Sequence, residues 1–364
     1  MSRDSQAGTG RPALGRARQQ AAPELIRYGS GLALRARPGL ALAPVPSTHQ
    51  HGPMDSTPSS RLDWLLFIVL GFLWGSSYLF IKIGVDAGLQ PFTLVSLRLL
   101  IGFALLAAVV GVAREALPRD RRMYGHLAVL GLLSVALPFS LITWAEQSVD
   151  SSLAAVLTGA VPLFVIPFAA FLLPAERITL NKLLGILVGL IGVAIVVGFD
   201  PAALTGGDLA AELALIGAAA SYAIGGVYAR RFVHGLRPMI PALFQVGIAL
   251  VMVSVPAFVL EQPFERGLAP EALFAVVWLG LLGSGAAYLV FFRLLGRWGA
   301  TRTSLVAYLL PIWGIALGAI VLSEPIDVRL IFGTALVIGG IALVNWRRGL
   351  RPSYGRGQAA APTE

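Results

Sequence analysis

The chain has 364 residues, 56% of them hydrophobic and only 13% charged, with a mean hydropathy of +0.77. A soluble domain is about a quarter charged, so this deficit points to a membrane protein. The absence of cysteine excludes disulfides and thiolate metal sites, and the net charge of +9 is mostly Arg in tails and short loops, which fits membrane topology better than nucleic-acid binding.

Residues 1–60 are rich in Arg, Pro, Ala, Gly and Ser and show no sustained apolar period. They read as a disordered tail. An Arg-rich targeting peptide is a second reading, although Pro23, Pro38, Pro44 and Pro46 break any long amphipathic helix. A third is an over-extended reading frame with Met54 as the start, because "MDSTPSSRL" directly precedes the first apolar run. From Leu62 onward ten apolar runs follow, at 62–84, 91–112, 124–145, 151–173, 179–199, 209–230, 238–260, 272–294, 301–322 and 328–346. Most are near the ~20 residues that cross the hydrocarbon core as a helix. Barrel strands would alternate apolar and polar residues; these runs do not. The chain is expected to be an all-α membrane protein with ten transmembrane helices.

Loop charges orient the spans. Loops on the side of the N-terminus carry Arg114, Arg119, Arg121, Arg122, Arg177, Lys182, Arg230, Arg231, Arg237, Arg293, Arg297 and Arg302, and the C-terminal tail adds Arg347, Arg348, Arg351 and Arg356. The opposite loops carry only Arg266 and Arg329. Positive charge stays inside, so both termini are expected in the cytoplasm.

One pattern occurs twice. Pro162, Glu176, Gly185 and Gly192 return as Pro311, Glu324, Gly333 and Gly340, at offsets of 149, 148, 148 and 148 residues. Trp74 precedes Tyr222, and Lys82 precedes Arg230, by 148; Pro91 precedes Pro238, and Arg98 precedes Gln245, by 147. The expected units are 61–199 and 200–347, each of five spans, followed by a disordered cytoplasmic tail at 348–364. A unit with an odd number of spans is upside down in its second copy. Such a 5+5 inverted-topology repeat usually means a transporter with a site near mid-membrane.

With Trp74-Gly75, Lys82, Pro91, Arg98, Pro162, Glu176 and the Gly185/Gly189/Gly192 run in order, and Pro311, Glu324, Gly333 and Gly340 repeating the pattern, residues 62–346 resemble the drug/metabolite transporter superfamily, EamA type. The resemblance implies secondary transport of small metabolites, often export of amino acids or related solutes; the expected location is a cell or inner membrane.

Arg98 lies inside the second run, where a charge is costly and usually faces a cavity or partner. It reads as an anchor for a substrate carboxylate or a gating charge, or else as a structural cation held by nearby carbonyls, or one that snorkels outward along its stem. Lys82, Glu146 and Asp150, near the outer ends of the first and third runs, are gating or proton-coupling candidates; the plain alternatives are a snorkelling side chain for Lys82 and solvated loop charges for Glu146 and Asp150. Trp74, Ser77, Tyr78, Ser140, Trp144, Tyr222, Gln245, Ser284, Tyr288, Tyr308 and Trp313 are candidate cavity residues, since aromatic walls with hydroxyls suit a small amphipathic solute; helix contacts and interfacial belts use the same residue types. Glu176 and Glu324 read as capping carboxylates for the helices that follow them, and the Gly185–Gly192 face as helix packing. Pro138, Pro162 and Pro311 allow kinks.

The sequence has no phosphate-cradling Gly-rich loop, no metal-spaced His/Cys/Asp/Glu cluster and no Ser-His-Asp set or paired intramembrane carboxylates. No cofactor, metal or nucleic-acid partner is expected; a small solute, the bilayer and a coupling proton or ion are. The lack of a central carboxylate argues against a cationic substrate. The expected function is gradient-driven alternating-access transport, with a membrane scaffold or sensor, or an intramembrane enzyme, as rival readings.

Overall fold

Backbone N–H and C=O groups cannot stay bare in hydrocarbon, and the apolar runs answer that demand by coiling. In the computed structural model, which describes residues 60–173, 178–198, 207–233, 236–263 and 267–346, ten helices are long and apolar enough to cross a membrane. They are α1 (Arg61–Asp86), α2 (Pro91–Val112), α3 (Arg121–Ala145), α4 (Ser151–Leu172), α5 (Leu180–Val197), α6 (Gly207–Phe232), α7 (Met239–Glu261), α8 (Pro270–Gly299), α9 (Ser304–Val321) and α10 (Val328–Asn345). The readings of the N-terminal tail, of Met54, of Glu176 and of the C-terminal tail fall outside the described residues.

Local chemistry sets the helix ends. Ser60 and Asp63 form a reciprocal capping box at the start of α1. Pro91 opens α2 in the first turn, where its missing N–H costs nothing. Asp120, Thr179 and Asp327 cap α3, α5 and α10 with their side chains.

The repeat is written into the backbone as well. A π-helical segment interrupts α3 at Leu132–Ala136 and α8 at Leu279–Ala286. Arg114 after α2 and Gln262 after α7 both take left-handed backbone, with φ of 49° and 48°. Such devices are costly for non-glycine residues, and each stands at matching places in the two halves. The fourth helices differ. α4 breaks at Ala160 and restarts with Pro162 in its first turn, whereas α9 begins as a 3-10 turn, Ser304–Tyr308, before its α-helical part.

α5 and α10 pack against each other through glycine. A Cβ on Gly185 would fall 2.6 Å from the Gly340 carbonyl, and one on Gly192 would fall 2.7 Å from that of Gly333. The expected helix-packing face therefore has α10 as its partner. Elsewhere α2 packs on α7 and α8, α3 and α4 on α6, and α1 on α8 and α9. The largest buried cluster includes Tyr78, Leu94, Ile142, Leu157, Leu163 and Leu215. Large apolar side chains such as Phe171, 88% exposed, and Ile320, 78% exposed, face outward, as lipid-facing surface requires.

Candidate functional site

Arg98 is 3% exposed and sits about two helical turns inward from Pro91 on α2. Its guanidinium meets a single hydroxyl: Nε and Nη2 lie 3.4 and 3.3 Å from Ser284 Oγ. The Phe139 ring of α3 lies under it, 4.2 Å from Cζ to the centroid, a cation–π contact. The π segment of α8 brings Ser284 there, and Gly283 beside it packs closely. A Cβ on Gly283 would sit 2.9 Å from Ser77 Oγ and 3.7 Å from Arg98 Nη2. The phenols of Tyr222, Tyr288 and Tyr78 and the carboxyl of Glu146 lie within electrostatic reach of the guanidinium. Among the described residues no carboxylate pairs with it. A buried cation held by one long hydroxyl contact and a ring face leaves donors unused.

The walls are built from the same helices. Ser77 and Ser76 turn their hydroxyls back to the Leu73 carbonyl at 3.2 and 3.1 Å, and Trp278 donates its indole N–H to Ser76 at 3.1 Å. The Tyr78 and Thr158 hydroxyls are 2.6 Å apart, joining α1 to α4. Trp74 meets Tyr288 edge-on and Phe291 at a tilt, with centroids 6.3 and 5.4 Å away. Ser140 is half-buried beside Phe139.

Other candidates lie elsewhere. Trp144 is 46% exposed and faces outward. Gln245 is buried on α7 with its backbone against Gly131 of α3. Tyr308 accepts a hydrogen bond from Asn345 Nδ2 at 2.9 Å, at the far end of α10. Trp313 packs edge-on to Phe72 and fills the space above Gly75. A cavity of about 300 Å³, lined in part by Gln90, Thr93, Glu261 and Gln262, opens between the α1–α2 and α7–α8 connections, and Arg98 is not part of it.

The ends of α1 and α3 near the α1–α2 and α3–α4 connections hold the remaining charges. Lys82 does not snorkel freely: its Nζ donates to the Glu146 carbonyl at 3.0 Å and pairs with Asp86 at 3.2 Å. Glu146 follows the last turn of α3 and is fully buried, and among the described residues neither carboxyl oxygen has a hydrogen-bond partner. Asp150 precedes α4; partial burial and the nearby Glu324 carboxylate hold its carboxyl above the usual carboxylate range. Glu324 corrects its expected role. It does not cap α10, which Asp327 does. One oxygen instead accepts the Ser151 N–H and hydroxyl at 2.8 Å each, and the other accepts the Ser152 N–H at 3.0 Å and the Ser152 hydroxyl. It thus caps α4 of the other repeat. Left-handed Ser323, with φ of 58°, turns the chain so that Glu324 can reach.

Sequence reasoning missed Phe139, Thr158 and Gly283. It also missed Glu261, which caps α2 through the Phe92 and Thr93 N–H groups at 2.9 and 2.6 Å, and the pair of Asp63, at the start of α1, with Arg297 Nε at 2.9 Å. The repeat offset would have drawn attention to the ends of α2 and α7; nothing in the sequence marks the π segments.

Ten membrane helices in two sets of five, closed around a buried arginine, define a polytopic membrane protein built as a transporter is. The chain matches the EamA-like transporter family over residues 63–198 and 209–346, and it belongs to that family, a family of transporters and not of enzymes. It is similar to the transporter YoaV of Bacillus subtilis, 25% identical over 274 residues, covering 75% of this chain and 93% of YoaV. It is also similar to the inner membrane transporter YedA of Escherichia coli K12, 28% identical over 78% of this chain and 90% of YedA. A Salmonella typhimurium protein named "Probable amino-acid metabolite efflux pump" is 24% identical over 78% of this chain and 94% of its own. One crystal structure shares the fold, with a TM-score of 0.57 and 22% identity, covering 78% of this chain and 97% of that one.

Proposed function

We propose that this transporter exports a small metabolite bearing an anionic group, an amino acid or related solute, by alternating access across a cell or inner membrane. The observation that carries this reading is Arg98, a buried guanidinium with one hydroxyl contact and no counter-ion among the described residues. An unpaired charge at that depth is expensive, and a carboxylate that binds and leaves repays the cost in every cycle. Ser77, Tyr78, Tyr222, Ser284, Tyr288 and Trp74 surround the anchor with hydroxyls and rings suited to an amphipathic solute. The name of the Salmonella relative supports the amino-acid class and the outward direction.

In this reading the units 61–199 and 200–347 rock about the site, with α5 and α10 as the buttress and both termini in the cytoplasm. An ion gradient, of protons or another ion, drives the cycle, and Lys82, Glu146 and Asp150 form the outer gate. The test is an untargeted comparison of metabolites inside and outside cells that overexpress or lack the protein. Anionic or zwitterionic solutes that move to the medium on overexpression and accumulate inside on deletion support the reading; unchanged pools in both strains overturn it.

A further inference from the structure

Glu146 is the most anomalous polar side chain among the described residues. It is 0% exposed, and both carboxyl oxygens lack a hydrogen-bond partner. A buried ionised carboxylate left bare costs several kcal/mol, by the order of magnitude that drives such groups to neutralise. It closes the outer end of α3. Phe139, the ring that carries Arg98, lies two turns inward on the same helix, about 10 Å away along the axis at 1.5 Å per residue.

Every element packed around it brings charge. From α1 come Lys82, Asp86 and the Tyr78 hydroxyl, from α2 Arg98, and from the turn before α10 Glu324; Asp150, at the start of α4, lies within reach of Lys82, Asp86 and Glu324 in turn. α6 packs on α3 and carries Glu212 and Tyr222. Lys82 is the nearest cation, yet its ammonium is spent on the Glu146 backbone carbonyl and on Asp86. Carboxylates therefore outnumber available cations at this end. Burial is the largest influence and pushes the Glu146 carboxyl well above the usual carboxylate range; Lys82 and Arg98 pull back only in part.

We infer that Glu146 is a proton-binding site that is occupied while the outer end of the transporter is closed and empties when that end opens to water. On opening, the O–H bond breaks, the electron pair stays on the carboxylate and the proton passes to outer water; closing takes one proton back. Outer acidity then favours the closed arrangement, and the gate of the proposed transport cycle, on which this inference rests, is tied to protonation at one residue.

The chain has no native cysteine, so a single thiol can report on opening. Val149, buried at 6%, and Gln147, exposed, lie in the same connection. Val149→Cys and Gln147→Cys proteins are labelled in membranes with an impermeant maleimide from pH ~5 to ~9, the interval above ordinary carboxylate titration, and the Val149 rate is divided by the Gln147 rate. The ratio should rise several-fold with pH in the otherwise wild-type protein. It should stay low and flat with Glu146→Gln, a permanent mimic of the neutral form, and rise again with Glu146→Asp. Infrared titration of the purified protein should show a protonated-carboxyl band that persists far above pH ~4.3, where a free Glu titrates, and that vanishes in Glu146→Gln but survives in Asp150→Asn. An equal rise of the ratio in Glu146→Gln, or a wild-type protein without that band, overturns the inference. A band that belongs to Glu146 combined with a ratio flat in every protein means that the outer end does not open, and the alternating-access reading fails instead.

Discussion

Glu324 and Ser151 stand 173 residues apart in the chain, yet one carboxylate oxygen accepts both the N–H and the hydroxyl of Ser151 at 2.8 Å. With Ser152 on the second oxygen, the carboxylate closes the start of α4 and ties the turn before α10 to the opposite repeat. Leaving those buried N–H and hydroxyl donors without their acceptor costs about 1–3 kcal/mol. Glu324→Ala should therefore lower the melting temperature in detergent by several degrees. Glu271→Ala, at an exposed position on α8, should change stability by no more than ~0.5 kcal/mol. Equal melting of the two variants would show that the clamp contributes nothing.

The α5–α10 seam predicts a sharp contrast between glycines. A side chain at Gly192 meets backbone, the Gly333 carbonyl and the Val337 N–H at 2.7 Å each, and backbone cannot rotate away. Gly192→Val should yield little folded protein by fluorescence size-exclusion chromatography. At Gly226 no atom beyond the neighbouring backbone of its own helix stands within 4 Å of where a Cβ would project, so Gly226→Ala should fold without loss.

Topology is open to direct labelling, because each introduced thiol stands alone. Cysteines at Arg119 and in the C-terminal tail should react only after the membrane is permeabilised, and one at Gln262 should react in intact cells. Labelling of Arg119→Cys from outside would reverse the orientation inferred from the Arg distribution.

Glu146 also predicts how stability varies with pH. A carboxyl whose folded value is raised binds its proton more tightly in the folded state. Its contribution is full below the unfolded value of ~4.3 and is lost as pH climbs toward the folded value. Wild type should lose melting temperature over that climb. Glu146→Gln has nothing to titrate, so its advantage over wild type should be near zero at pH ~4 and should grow with pH, as differential scanning fluorimetry can read.

Much of the fold is legible in the sequence, because hydrocarbon thickness leaves few solutions. The expected second run, 91–112, and the expected tenth, 328–346, agree with α2 and α10 to within one residue. Arg98 stands out because a charge inside a span is conspicuous whatever surrounds it. Its partners do not. Ser284 reaches it through a π segment, which an i to i+5 bonding slip creates without a marker residue, and Phe139 looks like any other apolar position on α3. Trp144 shows the same limit in reverse: lying within a span says nothing about which face a residue takes, and this one, at the end of α3, faces outward. Glu324 reads as a cap for the helix after it, since local capping is the common case; its actual target depends on how the two halves meet.

If Arg98 receives an anionic group, a thermal-shift screen of the purified protein reveals it even with the solute unidentified. L-amino acids and small carboxylic acids are compared with their uncharged amides; a ligand at 100 times its Kd stabilises by about 2.7 kcal/mol, a shift of degrees. The account predicts that at least one carboxylate raises the melting temperature, that its amide does not, and that Arg98→Gln, folded by the same assay, abolishes the shift. Stabilisation by amides as strongly as by carboxylates, or a carboxylate shift that survives in Arg98→Gln, would contradict it.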